Sequence, residues 1–336
     1  MLQKQKVLVL GGSGFIGKRV VQALAASDWA IPVSVSRHAA PAGAAGEPAH
    51  LQLDATDAGQ VRRALDGAAG IVNCIAGDNS SILESARVLF SAAAELPQRP
   101  RIVHLSSLAV YGDAEGDLDE AAVPGGHLSP YGAAKLAAER LATPALSLVI
   151  LRPGIVYGPG STQWTTRIAK FLEAHRLGDL GRLGDGYCNL VYIDDTVEAI
   201  LRALRLPGID GRIFNLSLPQ PPTWNEYLIR YARALGAVPV TRIAKRSLSI
   251  ETKLLAPPQK ILQLVIGKLS PRTARRLPDA MPPSLVRLFS QEIRMKVHAA
   301  EHTLGLRWTS LEEGLRQSAQ WYLGTARESA SATPQR

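Results

Sequence analysis

Tyr131 and Lys135 stand four residues apart in the run SPYGAAKLAAERL. On a helix that spacing places a phenol and an ammonium on one face. A free phenol titrates near pH ~10, and a fixed cation beside it is a direct way to make it a usable acid or base at neutral pH. Ser107, in HLSSLAVYG, ends an apolar run that reads as a strand, where its hydroxyl can hydrogen-bond a reacting oxygen. A YxxxK pair alone is common and usually marks a solvated helix face. The upstream serine, together with a glycine turn near the N-terminus, gives this pair its chemical meaning: proton transfer at an oriented carbonyl or hydroxyl.

That glycine turn, GGSGFIG at 11 to 17, follows the apolar run KVLVL and opens a helical pattern. Its GxxGxxG spacing is one residue longer in the first step than the commonest dinucleotide fingerprint. Glycines there permit positive φ and close backbone approach to a pyrophosphate, and the helix N-terminus favours the anion. Gly11, Ser13, Gly14, Phe15, Ile16 and Gly17 are therefore predicted to hold a dinucleotide. Asp54 and Ala55, in LQLDATD, follow a third strand-like run, where a carboxylate could accept from an adenine amino group. A helix N-cap, from Thr56 or Asp57, is the plain alternative use of this segment. At the end of the second strand an acid would take the ribose 2′-hydroxyl of NAD; this chain instead has Ser36 and Arg37, a pair suited to a 2′-phosphate. NADP(H) is thus expected in preference to NAD(H), with a solvated loop charge as the competing account of Arg37.

The elements that must position these residues are legible in the first half of the chain. Short runs rich in Val, Ile and Leu (KVLVL, IPVSVS, IVNCIA, RIVHLSS, LSLVILR) alternate with helical patterns, as in βαβ units around a parallel sheet buried on both faces. After Arg152 glycines and prolines break the regularity. Strand and helix patterns return at NLVYIDDTVEAILRAL and RIFNLS, and proline-separated helical stretches follow. The predicted division is a dinucleotide-binding region over 1–160, rejoined by 188–217, a substrate region over 161–187 and 218–325, and a disordered tail over 326–336.

Composition excludes several classes. The chain has 336 residues, 46% hydrophobic and 20% charged, which is ordinary for a folded protein. Cys74 and Cys188 are the only cysteines, giving no disulfide framework and no metal cluster; with too few apolar residues before the glycines for a signal peptide, the expected setting is cytoplasmic. The net charge of +9 is concentrated between Thr241 and Arg276, which holds nine basic residues and one acid. The remainder is near neutral, so nucleic acid is not an expected partner. The basic stretch contains the apolar run ILQLVIGKL, a combination suited either to a packed helix with solvated charges or to weak contact with an anionic membrane surface.

Taken together, GGSGFIG (11 to 17), LDATD (53 to 57), SSLAVYG (106 to 112), YGAAK (131 to 135), LRPGIVYGPG (151 to 160), YIDDTVEAI (192 to 200) and LGLRWTSLEEGL (304 to 315) resemble the extended branch of the short-chain dehydrogenase/reductase superfamily. The motifs are closest to those of its 3-beta-hydroxysteroid dehydrogenase and dihydroflavonol reductase-like members. The order of these motifs, running almost end to end, is more specific than any one of them. The resemblance implies a Rossmann-type α/β fold: a doubly wound parallel sheet of about seven strands, a smaller, mostly helical C-terminal substrate region, and NAD(P) across the strand ends. By position it implies Ser107 as orienter of the substrate oxygen, Tyr131 as acid or base and Lys135 on the nicotinamide ribose. Ala76 and Pro153 would touch the cofactor, and Tyr111 and Tyr157 the substrate. Asn73 is given no chemical role, and a homodimer is compatible with the resemblance.

Three functions compete: an NADP-linked carbonyl reductase or alcohol dehydrogenase, a nucleotide-sugar epimerase or dehydratase, and a redox-inactive nucleotide-binding scaffold. The intact Ser, Tyr and Lys set argues against the third. Relatives acting on nucleotide sugars often carry Asn where LRPGIVYGPG has Ile155, and Arg at the position of Cys188. Without those anion contacts the substrate is expected to be a small, apolar hydroxy or keto compound, unless Arg182 or the basic stretch replaces the lost arginine.

Overall fold

The computed structural model describes residues 4–39, 48–250 and 280–331. Most of the basic stretch, from 251 to 276, therefore lies outside the described residues. Two compact units emerge: one made of Met1–Val156, Val191–Pro219 and Met295–Thr309, the other of Tyr157–Leu190, Gln220–Arg294 and Ser310–Arg336.

The first unit is built on a seven-stranded sheet. Its strands are β1 (Gln5–Leu10), β2 (Ala30–Ser36), β3 (Ala49–Gln52), β4 (Gly70–Asn73), β5 (Arg101–Leu105), β7 (Leu148–Pro153) and β10 (Ile213–Leu216), while β6 (Gly116–Leu118), β8 (Ile155–Tyr157) and β9 (Leu190–Tyr192) lie outside it. The order is β10-β7-β5-β4-β1-β2-β3, and every pairing is parallel. This is the Rossmann-type α/β architecture, with the order in which strands are added switching sides between β1 and β4, the place where such sheets bind nucleotides. Helices α1 (Phe15–Ala25), α2 (Ala58–Leu65), α3 (Asn79–Ala94), α4 (Pro130–Glu139) and α6 (Ile193–Arg205) flank the strands. Central strands read as unbroken apolar runs because both faces are covered: Ile71, Val72, Ile102, Val103, Val149 and Leu151 are fully buried.

The second unit is mostly helical: α5 (Arg167–Glu173), α7 (Trp224–Leu235), α8 (Lys245–Ile250), α9 (Pro283–Phe289) and α11 (Leu311–Ser331). Its core is aromatic, with Trp224 edge-on to Phe289 at 5.0 Å and Tyr227 stacked on Tyr231 at 5.9 Å between ring centres.

Two expectations need correction. Helix α11 continues to Ser331, where a disordered tail was expected from residue 326. The segment Met295–Thr309, with helix α10 (His298–Leu304), belongs to the first unit although it was read as substrate region. Its docking explains this: Arg202 on α6 donates to the carbonyls of Leu304 (2.8 Å) and Gly305 (2.7 Å), and Asp195 accepts from Thr309.

Candidate active site

Because all seven strands are parallel, their carboxyl ends share one edge, and the predicted residues fall along it. Gly11–Gly17 follow β1, Ser36 and Arg37 close β2, Asp54 and Ala55 follow β3, Ala76 follows β4, Ser107 follows β5 and Pro153 ends β7.

The glycine turn fits a pyrophosphate. Gly11 has φ +77°, a left-handed conformation that a side chain would strain. A Cβ on Gly17 would lie 2.2 Å from the Gly11 carbonyl oxygen, so only glycine lets α1 start this close to the end of β1. Helix α1 begins at Gly14 with no side-chain cap and no acid in its first turn, leaving its N-terminal amides to an external anion. Arg19 is paired with Asp194 on α6.

At the β2–β3 end, Arg37, Gln52, Leu53, Asp54 and Gln60 line a hollow of about 340 Å³. The Ser36 hydroxyl donates to the His38 carbonyl at 2.9 Å, whereas Arg37 is exposed at the rim. Asp54 accepts from the amide and hydroxyl of Thr56 (3.0 and 2.8 Å), contacts that hold its carboxyl below the usual range, with a smaller contribution from Arg37. The N-cap of α2 is Asp57, accepting from Gln60 at 2.9 Å.

The catalytic candidates converge. Ser129 caps α4 by accepting from the Gly132 amide at 3.1 Å, and Pro130 occupies the first turn. Tyr131 is 36% exposed on that first turn; burial of its phenol pushes its pKa up, and the neighbouring Ser107 side chain pulls it down. Lys135 is 1% exposed, with its Nζ 5.9 Å from the Tyr131 ring centre. The ammonium donates to the Leu105 (2.7 Å) and Ile75 (3.0 Å) carbonyls, which leaves one of its three N–H groups. Burial pushes its pKa down to about 8, so it remains mostly a cation at neutral pH. Burial also pushes the Cys74 thiol up to about 12, so it is no nucleophile.

Beneath this set, the Asn73 side-chain oxygen accepts from the Ile75 amide (3.1 Å), which turns its NH₂ toward His104 Nδ1 at 3.2 Å. His104 therefore carries its proton on Nε2, and burial lowers its pKa to about 3. Asn73 thus shapes the end of β4.

Tyr111 and Tyr157, expected beside a substrate, are both buried among neighbouring segments. Tyr111 is 1% exposed, its hydroxyl accepting from Arg152 (3.0 Å) and donating to Asn215 (2.8 Å). Tyr157 is equally buried, and its phenol lies over Gly314, where a Cβ would come within 2.1 Å of the oxygen. Sequence reasoning missed Glu139, Arg152 and Gly132. A signal existed for the first two: Glu139 continues the four-residue spacing of Tyr131 and Lys135, and an arginine inside LSLVILR has to find a buried partner.

Comparison with known proteins agrees with the fold. The sequence pattern of the NAD dependent epimerase/dehydratase family matches residues 7–217. Protein YeeZ of Escherichia coli strain K12 is 32% identical over 142 residues, a match spanning 42% of this chain and 48% of YeeZ. The 2-alkyl-3-oxoalkanoate reductase of Stenotrophomonas maltophilia is 25% identical over 270 residues, covering 69% of this chain and 76% of the relative. Epimerase family protein SDR39U1 of Bos taurus is 30% identical over 257 residues, covering 69% and 79%. Among solved structures, UDP-glucuronic acid 4-epimerase from Bacillus cereus in complex with NAD superposes with a TM-score of 0.72 at 19% identity, over 96% of this chain and 99% of the other, a likeness of fold. With the motifs, the sheet order and the convergent serine, tyrosine and lysine, these matches establish that the chain belongs to the NAD dependent epimerase/dehydratase family of extended short-chain dehydrogenases/reductases.

Proposed function

We propose that this protein is an NADP(H)-linked oxidoreductase interconverting a hydroxyl and a carbonyl on a small, apolar substrate. The observation that carries the proposal is the convergence of Ser107, Tyr131 and Lys135 at the end of β5, next to a glycine turn suited to a dinucleotide. The nicotinamide, when bound, supplies or accepts the hydride. Ser107 orients the substrate oxygen, and Tyr131 gives or takes its proton. Lys135 offers its remaining N–H to the ribose and keeps a positive charge beside the phenol, which favours the phenolate left after proton transfer. Arg37, exposed at the rim of the adenosine-end hollow, would meet a 2′-phosphate. Ser36 is less suited to the phosphate, because its proton already lies on the His38 carbonyl.

An apolar substrate is supported by Ile155 (5% exposed) and Cys188 (fully buried), at positions where relatives acting on nucleotide sugars carry Asn and Arg. The resemblance to a relative named as a reductase of an oxoalkanoate points the same way. Incubation with NADPH and a panel of ketones, with products identified by mass, tests the reaction. Turnover of at least one apolar ketone is expected, and NADPH should bind more tightly than NADH. Micromolar binding of UDP, dTDP or GDP in competition with substrate would overturn the assignment in favour of a nucleotide-sugar epimerase.

A further inference from the structure

Arg152 lies at the end of β7, 2% exposed, and touches two elements that carry catalytic candidates. Its Nε and one terminal nitrogen donate to the two oxygens of Glu139 at 3.0 and 2.6 Å, while the other terminal nitrogen donates to the Tyr111 hydroxyl at 3.0 Å. Glu139 is on α4, one turn beyond Lys135 and two beyond Tyr131, on the same face. Tyr111 ends the short 3₁₀ turn Leu108–Tyr111 that Ser107 caps. The Tyr111 hydroxyl continues to Asn215 Oδ1 on β10 (2.8 Å) and the Asp119 carbonyl (3.1 Å). At the near end the same two elements meet backbone to backbone: a Cβ on Gly132 would lie 2.4 Å from the Ala109 carbonyl oxygen.

A buried ion pair is a poor means of stabilising a fold, since apolar side chains of similar volume serve as well or better; what it offers is defined geometry. Arg152 has the planar fork needed to hold a carboxylate on one side and a hydroxyl on the other. We propose that Arg152 is a positioning residue for the catalytic set. Through Glu139 it holds the helix bearing Tyr131 and Lys135, through Tyr111 it holds the turn bearing Ser107, and so it fixes where Ser107 and Tyr131 stand relative to each other. The inference rests on reading those three residues as the catalytic set.

Tyr111→Phe tests it: the ring stays, and the hydroxyl that joins the serine turn to Arg152, and also to Asn215 and Asp119, is lost. Arg152→Lys, which cannot hold Glu139 by a fork and reach Tyr111 as well, is the second variant. Both should lower kcat with NADPH and the best ketone of the panel on the order of tenfold to a hundredfold. The KM for NADPH should stay within about twofold of the parent. In a Ser107→Ala background, Tyr111→Phe should add almost nothing, because the contact it positions is already gone. Unchanged kcat in Tyr111→Phe, or an equal loss with and without Ser107, would overturn the proposal; a purely structural role would lower the melting temperature alone. Should no ketone be reduced by the parent protein, the functional reading fails, yet the clamp can still be measured. An ultraviolet difference titration of the Tyr131 phenol, with NADP+ bound and Tyr131→Phe as blank, should move to higher pH in Tyr111→Phe. Identical titrations would refute the clamp.

Discussion

At the scale of single residues, the proposed chemistry depends on a phenol near a cation whose position the backbone fixes. Tyr131→Phe removes the transferable proton and retains the ring, so turnover should fall on the order of 10²- to 10⁴-fold while NADPH affinity, measured by fluorescence titration, changes little. Near-parental turnover would remove Tyr131 from the mechanism. His104 gives a second handle. Burial lowers its pKa to about 3 in the fold, whereas in the unfolded chain it titrates near ~6.5. Below that pH the unfolded state takes up the proton and the native state does not, so stability falls on acidification from about pH 6.5 toward 3. Between pH 7.5 and 5 this histidine should account for about 2 kcal/mol of lost stability. Urea unfolding at both pH values should show that His104→Gln loses correspondingly less; equal losses would mean that other groups govern the acid response.

At the scale of elements, the residues legible in the sequence are those whose role follows from local chemistry. The Ser129 cap, Pro130 and the four-residue spacing of Tyr131 and Lys135 all announce the start and face of α4, and the structure has them there. The glycine turn is readable for the same reason, being a strand, a turn and a helix in immediate succession. Tyr111 and Tyr157 are less legible, because VYG segments look alike whether the tyrosine meets a ligand or a neighbouring chain segment: the neighbours the structure gives them, Arg152 and Asn215 for one and Gly314 for the other, are remote in sequence. A sharper test of the nucleotide turn follows from Gly17. A Cβ there would lie 2.2 Å from a backbone oxygen that cannot swing aside, unlike the end of a flexible side chain. Gly17→Ala should displace the start of α1 from β1 and weaken NADPH binding by at least about tenfold, the equivalent of ~1.4 kcal/mol. Isothermal titration of NADPH decides the matter, and unchanged affinity would show that the helix start is not where the cofactor binds.

At the scale of the whole molecule, the chain enters the sheet-bearing unit three times, and the third entry, Met295–Thr309, had no local signal to reveal it. Among the described residues no helix is long and apolar enough to cross a membrane. What returns the third segment is a set of contacts across great sequence distance. Asp195, at the start of α6 and 7% exposed, accepts from the Thr309 amide at 2.9 Å and from its hydroxyl at 2.7 Å, and Arg202 on the same helix donates to the Leu304 and Gly305 carbonyls at 2.8 and 2.7 Å. Burial is the largest influence on Asp195 and raises its pKa, while both Thr309 donors act in the opposite direction. A carboxyl whose pKa is higher in the fold than in the unfolded chain binds protons preferentially in the native state. Its burial therefore costs stability above the unfolded value of ~3.9, and the cost is relieved as pH falls toward it. Thr309→Val keeps the shape and the amide but deletes the hydroxyl donor, so the pKa should rise further and the cost at pH 7 should grow. A hydrogen bond to a charged group contributes ~1.5–3 kcal/mol, and a loss of that order is expected at pH 7, shrinking as the pH falls toward 4 and the native carboxyl takes up its proton. Thr309→Ser, which retains the hydroxyl, should lose less and show little change with pH. Urea unfolding followed by circular dichroism at the two pH values measures both variants. If Thr309→Val loses the same stability at pH 7 and pH 4, the threonine docks the returning segment by packing alone, and the buried carboxylate plays no part in holding it.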